Sequence, residues 1–234
     1  VVEEFESDPG VTAAQPRLLD YKDKTMFEYA GAAGGFIDKL GYPYCRGRIF
    51  TVIEPDKGQY TQNSDIFWAT GACLFVRREA FEILGGFDDD FFAHLEEIDL
   101  CWRILNTGGR IRYIADSLVY HVGGATLQKY DARKTYLNFR NSLFTLVKNL
   151  PAYRIPYVVL CRMVLDGVQG MRFLAEKRPR HTWALVRAHF AFYGGFARMW
   201  RKRRLTPLKT RRYFHDTSIV FSHFIKRKKY FSEL

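Results

Sequence analysis

The stretch "FFAHLEEIDLCWR", Phe91 to Arg103, sets three carboxylates, Glu96, Glu97 and Asp99, within four positions among aromatic and aliphatic residues. Leu95, Ile98, Trp102 and Leu105 keep the three-to-four spacing of one helical face. The spacing predicts a helix that starts near Glu96 and stops at Gly108-Gly109. Its acids then occupy the first turn, where the positive end of the helix dipole favours them. A carboxylate held there can accept a proton from an attacking hydroxyl if it is rigid and ionised. Neighbouring acids oppose ionisation by repulsion, so the pKa of such a group is tunable. Helix capping with solvated charge explains the same cluster, and local chemistry leaves both readings open. A glycosidase pair fits less well, because adjacent positions do not supply facing carboxylates.

Outward from this stretch the chain is rich in core-forming residues. Of 234 residues, 47% are hydrophobic, with 20 Phe and 14 Tyr, which excludes wholesale disorder. The net charge of +11 is unevenly spread. Residues 150–234 hold 19 Lys and Arg against 4 Asp and Glu, whereas residues 1–149 hold 17 against 21. A basic tail of net +15 on an acidic first part suggests an anionic surface partner, membrane or nucleic acid. No nucleic-acid recognition motif interleaves aromatic and basic residues, so no nucleic-acid partner is expected. Cys45, Cys73, Cys101 and Cys161 are far apart without CxxC spacing and read as free thiols in a reducing compartment. The opening "VVEEFESDPGV" reads as an acidic helix end entering a turn, and no secretory leader is expected.

A strand is expected near Val11 to Leu19, then a loose Gly-, Pro- and Tyr-rich region from Tyr21 to Asp65 with short strands. "ACLFVRR", Ala72 to Arg78, is a candidate buried strand, and "REAFEILGGF" a short helix stopped by Gly85-Gly86. "RIRYI" and "SLVYHV" alternate like two strands, the second broken at Gly123-Gly124. "YDARKTYLNFRNSLFTLVKNL" reads as a helix ending at Pro151. Ile155 to Leu174 and Thr182 to Trp200 read as helices with one apolar and one Arg-rich face. Arg162, Asp166 and Arg172 interrupt the longest apolar run, which argues for an interfacial amphipathic helix over a spanning one.

The ordered series "WATGACLFVRREAFEILGGFDDDFFAHLEEIDLCWRILNTGGRIRYIADSLVYHVGG", Trp68 to Gly124, resembles the acceptor-side half of family 2 glycosyltransferases, in particular their bacterial rhamnosyltransferase-like branch. The TGA-type turn, the paired Arg after a strand, the GGFD-type loop, the FF segment, the acidic pair opening a helix and the His before glycine all fit. "KGQY" before it and "YLNFRNSLF" after it fit as well. The resemblance covers roughly residues 9–151 well and the basic tail loosely. It implies the α/β fold class: a partial GT-A (nucleotide-diphospho-sugar transferase) fold lacking its N-terminal nucleotide-binding half, followed by amphipathic helices. Residues 1–150 would be the acceptor-side half, and residues 151–234 a basic, membrane-associating helical tail.

The resemblance also implies roles. An enzyme-deprotonated acceptor hydroxyl attacks the anomeric carbon of a nucleotide sugar with inversion. Glu97 matches the family's base, the second acid of its Glu-Asp pair, with a side chain one methylene longer. Glu96 matches the first acid and would contact the acceptor; Asp99 matches the further acid and would orient the site. His121 matches a position that helps hold a divalent metal, Mn or Mg, on the donor diphosphate, and a structural His remains the alternative. Trp68, Gly71 and Ala72 match the turn flanking the acceptor pocket, where small residues allow close sugar approach and an indole can stack on a pyranose; an ordinary strand entry is the alternative for Trp68. Arg140 and Asn141 match an Arg-Asn helix position that steadies phosphate or a mobile loop, and a solvated helix face is the alternative. Asp88 and Asp90 in "FDDDFF" mimic a DxD metal motif but fall on the acceptor side. No Gln-x-x-Arg-Trp element of processive synthases occurs, so addition of a single sugar is expected.

The expected partners are a nucleotide sugar, a saccharide or lipid-linked acceptor and an anionic membrane surface, on the inner face of the cytoplasmic membrane. The expected process is surface polysaccharide synthesis. The donor half is expected upstream of Val1, and this chain alone is expected to be inactive. The alternative is a non-catalytic membrane-associated interaction protein that retains the fold.

Overall fold

The structure, a computed structural model, describes residues 1–123, 131–203 and 218–234. In chain order the helices are α1 (Val2–Ser7), α2 (Arg78–Ile83), α3 (Glu96–Asn106), α4 (Ala132–Asn149), α5 (Ile155–Ala175), α6 (Pro179–Lys202) and α7 (Ile219–Phe224). The strands are β1 (Val11–Asp20), β2 (Gly35–Ile37), β3 (Pro43–Cys45), β4 (Arg48–Ile49), β5 (Val52–Ile53), β6 (Ser64–Asp65), β7 (Phe75–Val76) and β8 (Arg110–His121).

The main sheet has the order β6-β8-β1-β7. β1 is buried along most of its length and pairs parallel with β8, the placement expected of a strand covered on both faces. Pro16 removes one amide donor from β1, and it lies where the pairing with β8 jumps from Ile114 to Leu118. That jump joins the two strands expected from "RIRYI" and "SLVYHV" into one, because the extra residues bulge and pairing then resumes. The expected buried strand at Ala72 to Arg78 shrinks to β7, a two-residue edge strand with an exposed Phe75. Within the loose Tyr21–Asp65 region the chain forms a second antiparallel sheet, β2-β3-β4-β5. Its strands are two or three residues long, too short for alternation to be read.

α3 packs against β1, β8 and α4, and α4 in turn against α5 and α6. A Cβ on Gly195 of α6 would lie 2.5 Å from Phe144 Cζ, so glycine there lets α6 approach α4 closely. One apolar cluster runs from Ala13 through Trp102 and Phe144 to Ile155, Phe192 and Met199. The core therefore continues across residue 150 into the basic helices. Residues 204–217 of the tail, and Gly124 after β8, lie outside the described residues. Among the described residues no helix is long and apolar enough to cross a membrane.

Candidate active site

α3 begins at Glu96 with no side-chain cap, and the residue before it, Leu95, is left-handed at φ 68°. Phe92 and His94 are left-handed too, at φ 64° and 67°. Three such residues in four store strain, which persists only where the surroundings impose it. The surroundings here are α4. The Asn141 side-chain amide lies within donating distance of the carbonyls of Phe91, Ala93 and His94, at 2.9, 2.9 and 2.8 Å. Arg140 donates to the carbonyls of Asp90 and Phe91. Both residues thus hold the loop that presents the acidic turn. Asn141→Asp, which has no N–H to offer these carbonyls, is expected to destabilise the fold by about 1–3 kcal/mol. Urea unfolding checks this, and an unchanged midpoint would contradict it.

The held loop aims Glu97 at the turn after Trp68. A Cβ on Gly71 would meet Glu97 Cβ, Cγ and Cδ at 3.8, 3.9 and 4.0 Å, so the exposed Gly71 turn lies directly beside the Glu97 side chain. The turn is fixed from behind. Gln15, fully buried on β1, accepts from Thr70 N at 2.9 Å and donates to Gly31 O at 3.3 Å. Thr70 Oγ1 accepts from Ala72 N. Oε2 of Glu97 and Oε2 of Glu96 are both shielded from solvent without a partner among the described residues. Burial raises the Glu97 pKa to about 7, helped by the Glu96 charge and opposed by the amides of the helix start. Burial raises that of Glu96 as well. The result is a rigid carboxylate poised to exchange a proton near neutral pH.

Asp99 lies on the other side of α3. It is fully buried and accepts from Arg103 Nε at 2.8 Å, Lys148 Nζ at 2.7 Å and Asn149 Nδ2 at 2.8 Å. Arg103 also donates to the carbonyls of Leu84 and Gly86, tying α3 to the Gly85-Gly86 turn. Asp99 therefore touches the scaffold of α3 and α4 and not the Glu97 side.

The family description "Glycosyl transferase family group 2" matches residues 1–197. The chain belongs to that family. Within this chain, a 97-residue segment is 31% identical to the "Pre-mycofactocin glycosyltransferase" of Mycobacterium tuberculosis, covering 42% of this chain and 20% of that protein. A 54-residue segment is 41% identical to the "N-acetylglucosaminyl-diphospho-decaprenol L-rhamnosyltransferase" of the same organism, covering 23% of this chain and 18% of that one. The "dTDP-rhamnosyl transferase RfbF" of Shigella flexneri is 26% identical over 163 residues, 64% of this chain and 52% of that one. The chain thus spans about half of these relatives' length, or less. Among solved structures, GalNAc-T7 with UDP, GalNAc and Mn2+ aligns at a TM-score of 0.45 and 16% identity, over 64% of this chain and 28% of that one.

The remaining expected site residues of this family member divide. Trp68 takes the structural alternative of a strand entry: it is 2% exposed, with its ring packed into the core. Its indole lies over Gly35, where a Cβ would fall 2.1 Å from the ring, and its N–H donates to Phe36 O at 2.9 Å. Gly71 is exposed and Ala72 half-buried, so the turn itself remains open. His121 ends β8 with Nδ1 3.1 Å from Oε1 of Glu28, a buried acid that sequence reading passed over. Among the described residues no three His, Cys, Asp or Glu side chains gather into a metal-binding group. His121 offers a single imidazole, and these residues alone do not make a metal site. Asp88 and Asp90 are taken by cations: Lys148 and Lys202 at Asp88, Lys202 and Arg198 at Asp90. Burial would raise the Asp88 pKa, but the two lysines outweigh it and hold it near 2. Gln15 and Lys148 carried no motif; Arg103 had one signal, its place four residues after Asp99.

Proposed function

We propose that this chain forms the acceptor side of an inverting, GT-A-type glycosyltransferase that adds one sugar from a nucleotide sugar to a saccharide or lipid-linked acceptor. The observation that carries the proposal is Glu97, a shielded carboxylate with a pKa near 7 beside the open Gly71 turn. Glu97 takes the proton of the acceptor hydroxyl. The freed oxygen bonds to the anomeric carbon as the bond to the nucleotide diphosphate breaks, and the diphosphate leaves with its electron pair. Glu96 beside it keeps the base from ionising too readily, and its proposed role is to contact the acceptor. Asp99 is a positioning residue that locks α3, while Arg140 and Asn141 lock the loop before it.

Relatives named for rhamnosyl transfer support a deoxyhexose donor, and a relative in Myxococcus xanthus named for O-antigen biosynthesis supports a role in bacterial surface polysaccharide synthesis. The chain spans only part of those relatives, so transfer is proposed for a protein in which a donor-binding half accompanies these residues. The basic helices would hold it at the anionic inner face of the cytoplasmic membrane. An assay with dTDP-rhamnose and other nucleotide sugars tests the proposal. NMR of the anomeric proton is expected to show inversion, and a product that retains the donor configuration would contradict it.

His121 is proposed to supply one ligand to a divalent ion on the donor diphosphate, with the remaining ligands coming from outside the described residues. His121→Ala is then expected to raise the Mn2+ or Mg2+ concentration for half-maximal transfer by about tenfold or more. An unchanged metal titration would leave His121 a purely structural neighbour of Glu28.

A further inference from the structure

α5 is built inside out. A helix facing water buries its apolar stripe and exposes its charges. In α5 two of the three charges point inward, Arg162 at 3% and Asp166 at 1% exposed, while Arg172 in the last turn is exposed and pairs with Glu176. Arg162 donates to Ser142 Oγ at 2.7 Å and to Gly41 O at 3.2 Å, and its guanidinium lies 3.8 Å from the centre of the Tyr42 ring. Asp166 meets His189 Nε2 of α6 at 3.0 Å. The opposite side of α5 presents Tyr157, Leu160, Val164, Val168 and Met171, all exposed, with Leu160 at 63% and Val164 at 61%. Their spacing of three, four, four and three residues draws one stripe along the helix. Among the described residues nothing covers it.

The stripe continues onto α6. Ile155, Pro156 and Val159 of α5 face Phe196 and Trp200 across an apolar groove of about 660 Å³, with Arg201 at its rim. Trp183 and Phe190 of α6 are exposed as well. Charges turned to the protein and apolar residues turned outward are the arrangement of a helix that touches hydrocarbon, because a charge there is costly unless it faces the interior. The basic excess of the tail supplies attraction to anionic headgroups. Aromatic residues beside the stripe suit the headgroup level. No described helix can span, so the helix must lie in the plane of the interface.

We propose that the outer face of α5, extended by the aromatic residues of α6, enters the acyl region of an anionic membrane leaflet. This deepens the proposed membrane location, and it replaces attachment by charge alone with insertion of a defined face. A lipid-linked acceptor would then meet the protein in the leaflet that seats α5.

The test is flotation of the chain with vesicles of phosphatidylglycerol and phosphatidylcholine at low and high salt, with sedimentation velocity without lipid. Wild type is expected to float on anionic vesicles and to keep a fraction bound at high salt. The double variant Leu160→Asp/Val164→Asp changes exposed residues only, so its circular dichroism is expected to match wild type. Its vesicle-bound fraction is expected to fall about tenfold or more. Equal flotation of wild type and double variant, abolished by salt, would overturn insertion while leaving peripheral attachment intact. Absence of flotation in both would overturn both. A wild-type dimer that the double variant converts to monomer, with flotation unchanged, would assign the face to a second copy of the chain and overturn the proposal. Glu97→Gln is expected to float like wild type, which separates this result from the fate of the catalytic reading.

Discussion

Glu97→Gln is expected to lower the rate of the proposed transfer by about 10²–10⁴-fold, the range over which a positioned general base contributes. The glutamine keeps the size and the shielding of the side chain and cannot take the proton. Donor binding does not use that proton acceptor, so the donor affinity is expected to stay within about twofold of wild type. The same substitution is expected to stabilise the fold. The folded pKa of Glu97 is about 7, raised from an ordinary 4.5, so the folded state resists ionising it. The stability tied to the protonated group is fully present below about pH 4.5 and is lost as pH rises through about 7. Gln lacks this loss, and the variant is expected to gain about 1–3 kcal/mol at pH 8 and close to nothing at pH 4. Urea unfolding at the two pH values reads it. Near-wild-type turnover, or equal stability at pH 8, would contradict the assignment.

Lys148→Met is the second large effect, here on stability. Lys148 is buried and lies 2.6 Å from Asp88 and 2.7 Å from Asp99, which is itself fully buried. Removing the cation leaves Asp99 with Arg103 and Asn149, and Asp88 with Lys202. Breaking a buried pair by taking one partner costs about 3–5 kcal/mol, because the other charge stays in place without its compensation. The pH dependence has a definite sign. Asp88 is depressed to about 2 from 3.8, so the stability it contributes is present above about pH 4 and is lost as pH falls toward 2. The gap between wild type and variant is therefore expected to narrow on acidification through that window. Denaturant unfolding between pH 3 and pH 7 measures it. A cost below about 1 kcal/mol at pH 7 would show that the cluster is not the clamp it is taken for.

The acidic helix start was legible in the sequence because acids in a first turn and a three-to-four apolar spacing are local signals. The left-handed backbone at Phe92, His94 and Leu95 was not. It is imposed by Asn141 from α4, some fifty residues on, and no local pattern reports it. Which of the two readings of Trp68 holds was hidden for a similar reason. Whether an indole after a loop faces a ligand or the core depends on Gly35, which offers it a flat backbone to lie against. Gly71 was read as a small residue allowing close approach, and the structure sets it against Glu97. In α5 the period of three to four was visible, but its sense was not. A sequence pattern separates two faces without saying which is buried, and here Ser142, Tyr42 and His189 draw the charged face inward. The bulge that makes one strand of β8 was hidden as well, since the register of a parallel pair is set by its partner β1.

The most direct test of Glu97 as the base is the pH dependence of kcat/KM for the proposed transfer. The account predicts an acidic limb with an apparent pKa of about 7, following the ionisation of Glu97. It also predicts that this limb is missing from the residual activity of Glu97→Gln. A limb near 4.5, the ordinary value for the group, or one that persists unchanged in the glutamine variant, would contradict it.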